Sequence, residues 1–214
     1  MEAPIPVLLL HSAGRTPQMW QDQVEAIGAG KPVLAPWLAG LRPGRSTELS
    51  LTGAADEVLA TMDRNGISSA RLVGHQLGAM VALQVAATEP EMVAGLMLSG
   101  AMIAPSAMTL RLQRAVIRLL PNKSLAESGA TKADLLRALD LIATADFGKR
   151  VDHITAPTLV VAGSADPSRS AAKELAAALP NGRYEEMPGV GADPSLEAPG
   201  EFNRLLLEFL KLDS

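Results

Sequence analysis

The segment from Ala70 to Val85 constrains the fold of this 214-residue chain more than any other. A short apolar run ends at Gly74, three residues follow, and Gly78 then opens a segment of small, helix-forming residues. Two glycines so close together allow a strand to turn sharply into a helix, because a residue without a Cβ lets the two backbones pack closely. The residue at the tip of this predicted strand, turn and helix is Gln76.

Apolar runs of strand length alternate with segments of helical periodicity along most of the chain. The predicted strands span 6–10, 32–35, 70–73, 93–99, 158–162 and 183–187. The predicted helices span about 17–27, 52–63, 77–88, 168–179 and 196–212. This alternation predicts an α/β fold with a doubly wound, mostly parallel sheet of about six strands. In such folds, ligands bind beyond the carboxyl ends of the strands.

The alternation is interrupted once, between the fourth and fifth predicted strands. The segment 101–150 contains two predicted helices, around 107–120 and 132–145. An insertion at the carboxyl end of a strand is placed to cover a pocket, so we interpret it as a cap within a single domain that spans 1–214. Most apolar cap residues are expected to pack against the sheet, whereas Met102 and Met108 are expected to face the pocket.

Composition narrows the class of protein. The length and the apolar content of 48% suffice for one well-buried core, and a net charge of -4 without a basic stripe argues against a nucleic-acid partner. The absence of cysteine and the three scattered histidines argue against a structural metal site, and no cofactor is expected. The N-terminus lacks a signal-peptide pattern, and no apolar stretch approaches the roughly 20 residues that span a bilayer. A cytoplasmic location without membrane contact is therefore expected.

Four motifs occur in a defined order along the chain. They are the loop His11-Ser12-Ala13-Gly14 with Trp20 behind it, the turn from Gly74 to Gly78, the strand 154–163 leading to Asp166, and the loop 187–191 running into the last helix. In this order they resemble the oxyanion loop, nucleophile elbow, acid strand and histidine loop of the α/β-hydrolase superfamily. The resemblance covers almost the whole chain and implies that fold with a short helical cap. Only five residues precede the first predicted strand, so the N-terminal hairpin of many members is not expected.

The resemblance also locates the catalytic positions. The serine position of the elbow is Gln76, the histidine position is Ala192, and the acid remains as Asp166. By resemblance the oxyanion hole uses the backbone amides of Ser12 and Leu77, which do not depend on the side chain at position 76. The residues expected around the same pocket are His11, Trp20, His75, Met102, Met108, Ala192 and Asp193.

The glutamine at the serine position and the alanine at the histidine position argue against hydrolysis through an acyl-enzyme. An amide is a poor nucleophile, Ala192 accepts no proton, and losing members of a triad lowers the rate by on the order of 10⁴ to 10⁶. Two backbone donors in a dry pocket still polarise a carbonyl or hold an enolate, an effect worth roughly 3 kcal/mol per donor. Gln76 can add a donor or an acceptor through its side-chain amide. The remaining groups suit the binding of a small apolar carbonyl compound.

Both carboxylates near the predicted pocket also have a structural explanation. Asp166 precedes a proline and a helix, so helix capping explains it as well as a catalytic role does. Asp193 precedes a proline in the same way, although it lies next to the vacated histidine position. If Asp166 faces the pocket, a carboxyl group without a histidine partner can act as a general acid or base.

The histidines near the pocket are expected to have structural roles, and two serines are expected to lie close to it. His75 is expected to pack beside the elbow, and His11 is expected to brace the oxyanion loop. Ser12 and Ser99 carry the hydroxyl groups expected nearest to the pocket, and the sequence shows no base beside either.

Three functions are compatible with these residues. A non-hydrolytic enzyme of the lyase, isomerase or cyclase type is preferred, because the backbone donors are retained while the nucleophile is exchanged for another polar group. A pseudoenzyme that binds a ligand or acts as a scaffold is favoured by the joint loss of two catalytic groups. An ester or lactone hydrolase that uses a water held by Gln76 and Asp166 is the third. The sequence does not constrain the oligomeric state.

Overall fold

The computed structural model describes residues 4–44, 48–103, 106–125, 130–145 and 147–211. Its strands are β1 (Val7–Leu10), β2 (Val33–Leu34), β3 (Ala70–His75), β4 (Val93–Ser99), β5 (Thr158–Gly163) and β6 (Gly182–Met187). They form one six-stranded sheet in the order β2-β1-β3-β4-β5-β6, and every neighbouring pair is parallel. The predicted α/β fold is confirmed, with a sheet that is parallel throughout.

The strands form where the sequence offers continuous apolar runs, because a parallel sheet covered by helices buries both sides of each strand. Every residue of β1, β3 and β5 is buried. Strand β3 extends beyond its predicted end, because Gly74 and His75 pair with Leu98 and Ser99 of β4. The change from strand to helix is therefore confined to Gln76.

Helices cover both faces of this sheet. They are α1 (Gln21–Ile27), α2 (Leu51–Arg64), α3 (Leu77–Thr88), α4 (Ala107–Leu119), α5 (Lys132–Thr144), α6 (Arg169–Ala178), α7 (Pro194–Glu197) and α8 (Pro199–Phe209). Leu8 and Leu10 of β1 pack on the face covered by α2 and α3, whereas Val7 and Leu9 pack on the face covered by α8. No helix within the described ranges is long and apolar enough to cross a membrane.

Two of the predicted helices are interrupted. The first begins as a 3-10 turn over Pro17–Trp20 before α1 starts. The last is split into α7 and α8 at Ala198, whose φ of -141° and ψ of 64° are not helical. Pro199 causes this break, because a proline ring clashes with a helical backbone at the preceding residue.

The cap helices α4 and α5 lie within the predicted insertion and pack against each other. Helix α5 begins with a capping box between Thr131 and Asp134, and it buries Ala138, Leu139 and Ile142. Helix α4 buries none of its residues, so the expectation that its apolar side chains pack against the sheet is wrong. Its exposed large apolar residues are Met108, Leu112, Val116 and Leu119.

The two outer strands of the sheet differ from the inner ones. Strand β2 has two residues and lies between Pro32 and Pro36. Strand β6 exposes the charged side chains of Arg183, Glu185 and Glu186. Neither edge therefore offers a long apolar strand to solvent.

Candidate active site

The backbone at Gln76 is strained. Its φ is 47° and its ψ is -110°, and among the described residues it is the only one besides glycine with a positive φ. Backbone hydrogen bonds hold this geometry, since the Gln76 N–H donates to Ser99 O at 2.7 Å and the Gln76 carbonyl accepts from Met80 N–H at 3.0 Å. Such strain costs about 1–3 kcal/mol and persists where the surrounding structure over-determines it. The elbow predicted from the sequence is thus present, with glutamine at its tip.

The neighbouring glycines let the elbow fit between its strand and its helix. A Cβ on Gly78 would overlap the carbonyl oxygen of Leu10 and lie 2.7 Å from that of His11. A Cβ on Gly74 would lie 2.6 Å from the Cα of Ala79. No larger residue fits at either position without moving the backbone.

A cavity of about 640 Å³ opens beside the elbow, under α4 and α5. It brings together most of the site residues expected from the sequence. Those that line it are Ser12, Gln76, Leu77, Met102, Met108, Asp166, Ala192 and Asp193. Ligand cavities of this size are typical of sites for small organic molecules.

Several residues that line this cavity have backbone N–H groups without a partner in the described ranges. The N–H groups of Ser12, Ala13 and Leu77 have no acceptor among the described residues, and all three residues line the cavity. The Leu77 N–H is the first of α3, and the amides that open a helix have no partner within it and carry partial positive charge. The side-chain amide of Gln76 is likewise without a hydrogen bond in the described part of the chain. Sequence reasoning missed Ala13, because the motif fixes the loop only to within a residue.

His11 does not line the cavity, although the sequence placed it there. Its Nδ1 donates to Ser12 O at 2.9 Å, and its Nε2 accepts from Leu38 N–H at 3.1 Å. Burial lowers the pKa of His11, against a smaller opposing effect of the hydrogen bonds to the Ser12 and Arg15 backbone, so the ring is neutral at pH 7. The ring ties the loop that presents the Ser12 amide to the segment at Leu38.

Trp20 also lies away from the cavity. The short 3-10 turn that contains it directs the indole to the opposite face of the sheet, where it packs against Phe202 with ring centroids 6.1 Å apart. Proximity in sequence to the oxyanion loop was therefore a misleading signal for this residue.

His75 is fully buried beneath the elbow and does not line the cavity. Its Nδ1 lies 2.8 Å from the Ser99 Oγ, and its Nε2 lies 2.8 Å from Asp193 Oδ1. The expectation that no base lies beside Ser99 is therefore wrong. Ser99 is itself 1% exposed and outside the cavity lining, so the chain of Ser99, His75 and Asp193 reaches the cavity only through Asp193.

Asp193 directly follows Ala192 and lines the cavity with it. Besides His75, its carboxylate contacts Arg15, whose guanidinium donates to Oδ2 at 2.7 Å. Burial alone would raise the pKa of Asp193, but the hydrogen bonds and charges of His75 and Arg15 outweigh it and lower the pKa to about 2. The side chain does not cap α7, so the capping explanation is wrong for Asp193.

The loop around Asp193 is fixed by Glu197. The two oxygens of the Glu197 carboxylate accept from Gly191 N–H at 2.7 Å and from Asp193 N–H at 2.9 Å. Ala192 lies between these two amides, so its methyl group is held in the cavity wall by its neighbours. The roles of Glu197 and Arg15 were not predicted from the sequence. Glu197 accepts from the backbone six and four residues before it, whereas Arg15 contacts a residue 178 positions away.

Asp166 is 7% exposed and lies in the cavity wall. Its Oδ1 accepts from both the N–H and the hydroxyl of Ser168, each at 2.7 Å. The capping explanation is therefore wrong for Asp166, because helix α6 starts at Arg169 after the N-cap residue Ser168, and no side chain of the described residues caps it. The Asp166 carboxylate instead closes a turn onto Ser168, the residue before the helix. Asp166 Oδ2 has no hydrogen-bond partner among the described residues.

No group of three or more His, Asp or Glu side chains suited to a metal ion occurs in the described ranges. The polar groups of the cavity are two side-chain amides, two carboxylates, one guanidinium and several hydroxyl and backbone groups. They can polarise a carbonyl group and accept hydrogen bonds.

Replacing Asp193 by asparagine is expected to make the free energy of unfolding less dependent on pH below about pH 4.5. A carboxyl group whose pKa is lower in the folded chain stabilises it above pH ~4, and that contribution is lost as the pH falls towards 2. We expect wild type to lose about 2 kcal/mol of unfolding free energy between pH 4.5 and pH 2 that Asp193→Asn does not lose, measured by urea unfolding. Asp140→Asn, which removes an exposed ion pair with Arg114, serves as the control. Parallel curves for wild type and Asp193→Asn would contradict the coupling.

Comparison with known proteins places this geometry in a family. The model of the alpha/beta hydrolase family matches residues 7–205. A protein of Pseudomonas savastanoi pv. phaseolicola named "Putative carbamate hydrolase RutD" is 29% identical, over 97% of this chain and 95% of its own. A RutD protein of Klebsiella pneumoniae is also 29% identical, over 76% of this chain and 74% of its own.

Solved structures show the same fold. A thermophilic esterase from Thermogutta terrifontis superposes with a TM-score of 0.82 at 19% identity, covering 99% of this chain and 91% of the esterase. The enol-lactonase from Burkholderia xenovorans superposes with a TM-score of 0.81 at 20% identity, covering 98% and 92%. Together with the family match over residues 7–205, the elbow and the parallel sheet, this establishes that the chain belongs to the alpha/beta hydrolase family.

Proposed function

We propose that this chain is an enzyme that binds a small carbonyl compound with an apolar part and polarises its carbonyl group without forming an acyl-enzyme. The observation that carries the proposal is the amide of Gln76 at the strained elbow, beside the N–H groups of Ser12 and Leu77. The strained backbone directs residue 76 into the cavity, where a nucleophile would be expected, and glutamine cannot serve as one.

The donors act on the carbonyl oxygen of the ligand. Negative charge that develops on this oxygen is stabilised by amides already oriented towards it, and such preorganised donors need no rearrangement during the reaction. The Gln76 amide adds a donor through its nitrogen or an acceptor through its oxygen. A lyase, isomerase or cyclase needs only this polarisation and a proton transfer, so the absence of a covalent nucleophile does not prevent such reactions.

The names of the relatives support one choice of test substrate. A carbamate contains a carbonyl bonded to nitrogen, and it therefore presents an acceptor and, when its nitrogen carries hydrogen, a donor. An amide side chain such as that of Gln76 complements both groups. Carbamates belong first in a substrate panel, followed by esters, lactones and enolisable ketones.

Two other functions have support from particular observations. Hydrolysis by a bound water is favoured by the names of the relatives and by Asp166, which lines the cavity and whose Oδ2 has no hydrogen-bond partner among the described residues. A ligand-binding pseudoenzyme is favoured by the combination of Gln76 and Ala192, which leaves neither a nucleophile nor its base. Turnover separates the pseudoenzyme from both enzymes, and water incorporation separates the hydrolase from the non-hydrolytic enzyme.

Gln76→Ala is expected to lower kcat/KM about 10- to 100-fold for any turned-over member of the panel, mostly through kcat. A donor that strengthens its contact in the transition state affects kcat more than binding. Gln113→Ala is the matched control, because Gln113 also lines the cavity but lies on α4, where its amide is 4.0 Å from the sulfur of Met102. We expect a change below about threefold there.

Three results would contradict the proposal. Unchanged turnover in Gln76→Ala would exclude the amide from the reaction. Ligand binding without turnover of any compound class would favour the pseudoenzyme. Labelling of Ser12 or Ser99 by a fluorophosphonate would show that a serine acts as the nucleophile after all.

A further inference from the structure

We propose that the ligand of this cavity carries an ammonium group that pairs with Asp166, in addition to the carbonyl group that hydrogen-bonds to Gln76. This inference rests on the proposed function for the carbonyl, but its evidence comes from a different lining residue, Asp166. It concerns the substrate class, which becomes that of apolar carbonyl compounds bearing an amine.

The first step is the incomplete hydrogen bonding of Asp166. Both donors of Ser168 bind Oδ1, and Oδ2 has no partner in the described part of the chain, although the residue is 7% exposed. A buried carboxylate is stable when its oxygens are hydrogen-bonded or paired with a cation. Oδ2 is not one of the buried side-chain atoms that lack a partner, so it is accessible, and because Asp166 lines the cavity a bound ligand can pair with it.

The second step is that the protein does not supply this partner. Ala192 presents only a methyl group to the cavity, and Arg15 is the only cationic side chain among the described residues that line it. Arg15 is already paired with Asp193 at 2.7 Å, and Asp193 also accepts from His75. Because Arg15 is engaged by Asp193, no cationic side chain among the described residues that line the cavity is left to pair with Asp166.

The third step is the nature of the remaining wall. The cap contributes aliphatic side chains to it, among them Leu112, Ile117, Leu139 and Ile142. Leu139 and Ile142 are buried, and beside such side chains a charge is screened less than in open water, so its attraction to an opposite charge is stronger. The cavity therefore favours a ligand with an apolar body and a cationic nitrogen over a neutral ligand of the same shape.

The test compares three probes of equal chain length, hexylammonium, hexan-1-ol and hexanoate, by calorimetric titration of the full chain at pH 7. We expect hexylammonium to bind at least about tenfold more tightly than hexan-1-ol, and hexanoate to bind more weakly than both.

Asp166→Asn should lower the affinity for hexylammonium at least about tenfold and leave that for hexan-1-ol unchanged. Asparagine keeps the oxygen that accepts from Ser168, so this variant retains the local fold. Asp63→Asn, an exposed change on α2, is the control.

Several outcomes would overturn the inference. They are equal binding of hexylammonium and hexan-1-ol, no binding of hexylammonium at millimolar concentration, or an ammonium preference that survives in Asp166→Asn. Should that variant not fold, the comparison of the three probes on wild type decides alone. The titration measures binding and is independent of the turnover assay of Gln76→Ala. A preference for the ammonium probe together with unchanged turnover in Gln76→Ala would refute the proposed reaction and leave this site intact. No ammonium preference together with reduced turnover in Gln76→Ala would refute only this site.

Discussion

Replacing Gln76 by serine and Ala192 by histidine together is expected to produce a serine hydrolase site, whereas neither change alone does so. The elbow fixes the backbone of residue 76 at a φ of 47° through bonds to Ser99 and Met80 that do not involve its side chain. Glu197 fixes the loop on both sides of residue 192. A serine and a histidine would therefore face the same cavity as Asp166, whose Oδ2 is available to orient the imidazole.

The expected gain is at least about 10³-fold in the hydrolysis of an activated ester such as p-nitrophenyl butyrate, together with fluorophosphonate labelling of residue 76. Members of a triad act as a unit, so the single variants Gln76→Ser and Ala192→His serve as matched controls and should remain near the wild-type rate. Equal labelling of Gln76→Ser and the double variant would show that another base, with Asp193 the nearest candidate, already activates position 76. No labelling of a folded double variant would contradict the geometry of the elbow and the loop.

Gly78→Ala is expected to destabilise the fold by about 3 kcal/mol or more. Gly78 lies in α3, where helix propensity alone would make alanine stabilising by up to about 1 kcal/mol. The added Cβ would overlap the backbone oxygen of Leu10, which belongs to β1 and is fixed by its pairing with β3. Steric overlap with a backbone that cannot move separately outweighs propensity, so the sign is reversed.

Gly200→Ala provides the matched control for this prediction. Gly200 lies in α8, and a Cβ there would meet nothing within 4 Å. Propensity should then act alone and stabilise the variant by about 0.5–1 kcal/mol. Urea unfolding of both variants measures the difference. A Gly78→Ala protein as stable as wild type would mean that β1 and α3 are not held as closely as the structure indicates.

The sequence predicted the sheet well because its signal is local. The inner strands β1, β3 and β5 are buried on both faces, and this burial leaves continuous apolar runs that can be recognised without knowledge of the partners. The exception is the end of β3, where Gly74 and His75 do not have the side chains of typical strand residues. Their strand geometry comes from pairing with β4, which is a contact between segments and cannot be read from either alone.

The candidate site was predicted only in part, because contacts between distant segments leave no local signal in the sequence. Gln76, Asp166 and Ala192 lie in motifs whose order along the chain indicated their neighbourhood. The contact of His75 with Asp193 joins residues 118 positions apart, and the contact of Arg15 with Asp193 joins residues 178 apart. Neither pair has a periodic or spacing signal, so the hydrogen-bond network around Asp193 could be found only in three dimensions.

The edges of the sheet have a consequence for the behaviour of the chain at high concentration. An exposed edge strand offers unpaired amides and carbonyls to other molecules, and a long apolar edge promotes aggregation by strand addition. Here β2 is two residues long between prolines, and prolines donate no hydrogen bond, whereas β6 presents Arg183, Glu185 and Glu186. A second sheet therefore finds little to pair with at either end, and intermolecular β-structure is disfavoured as long as the chain stays folded.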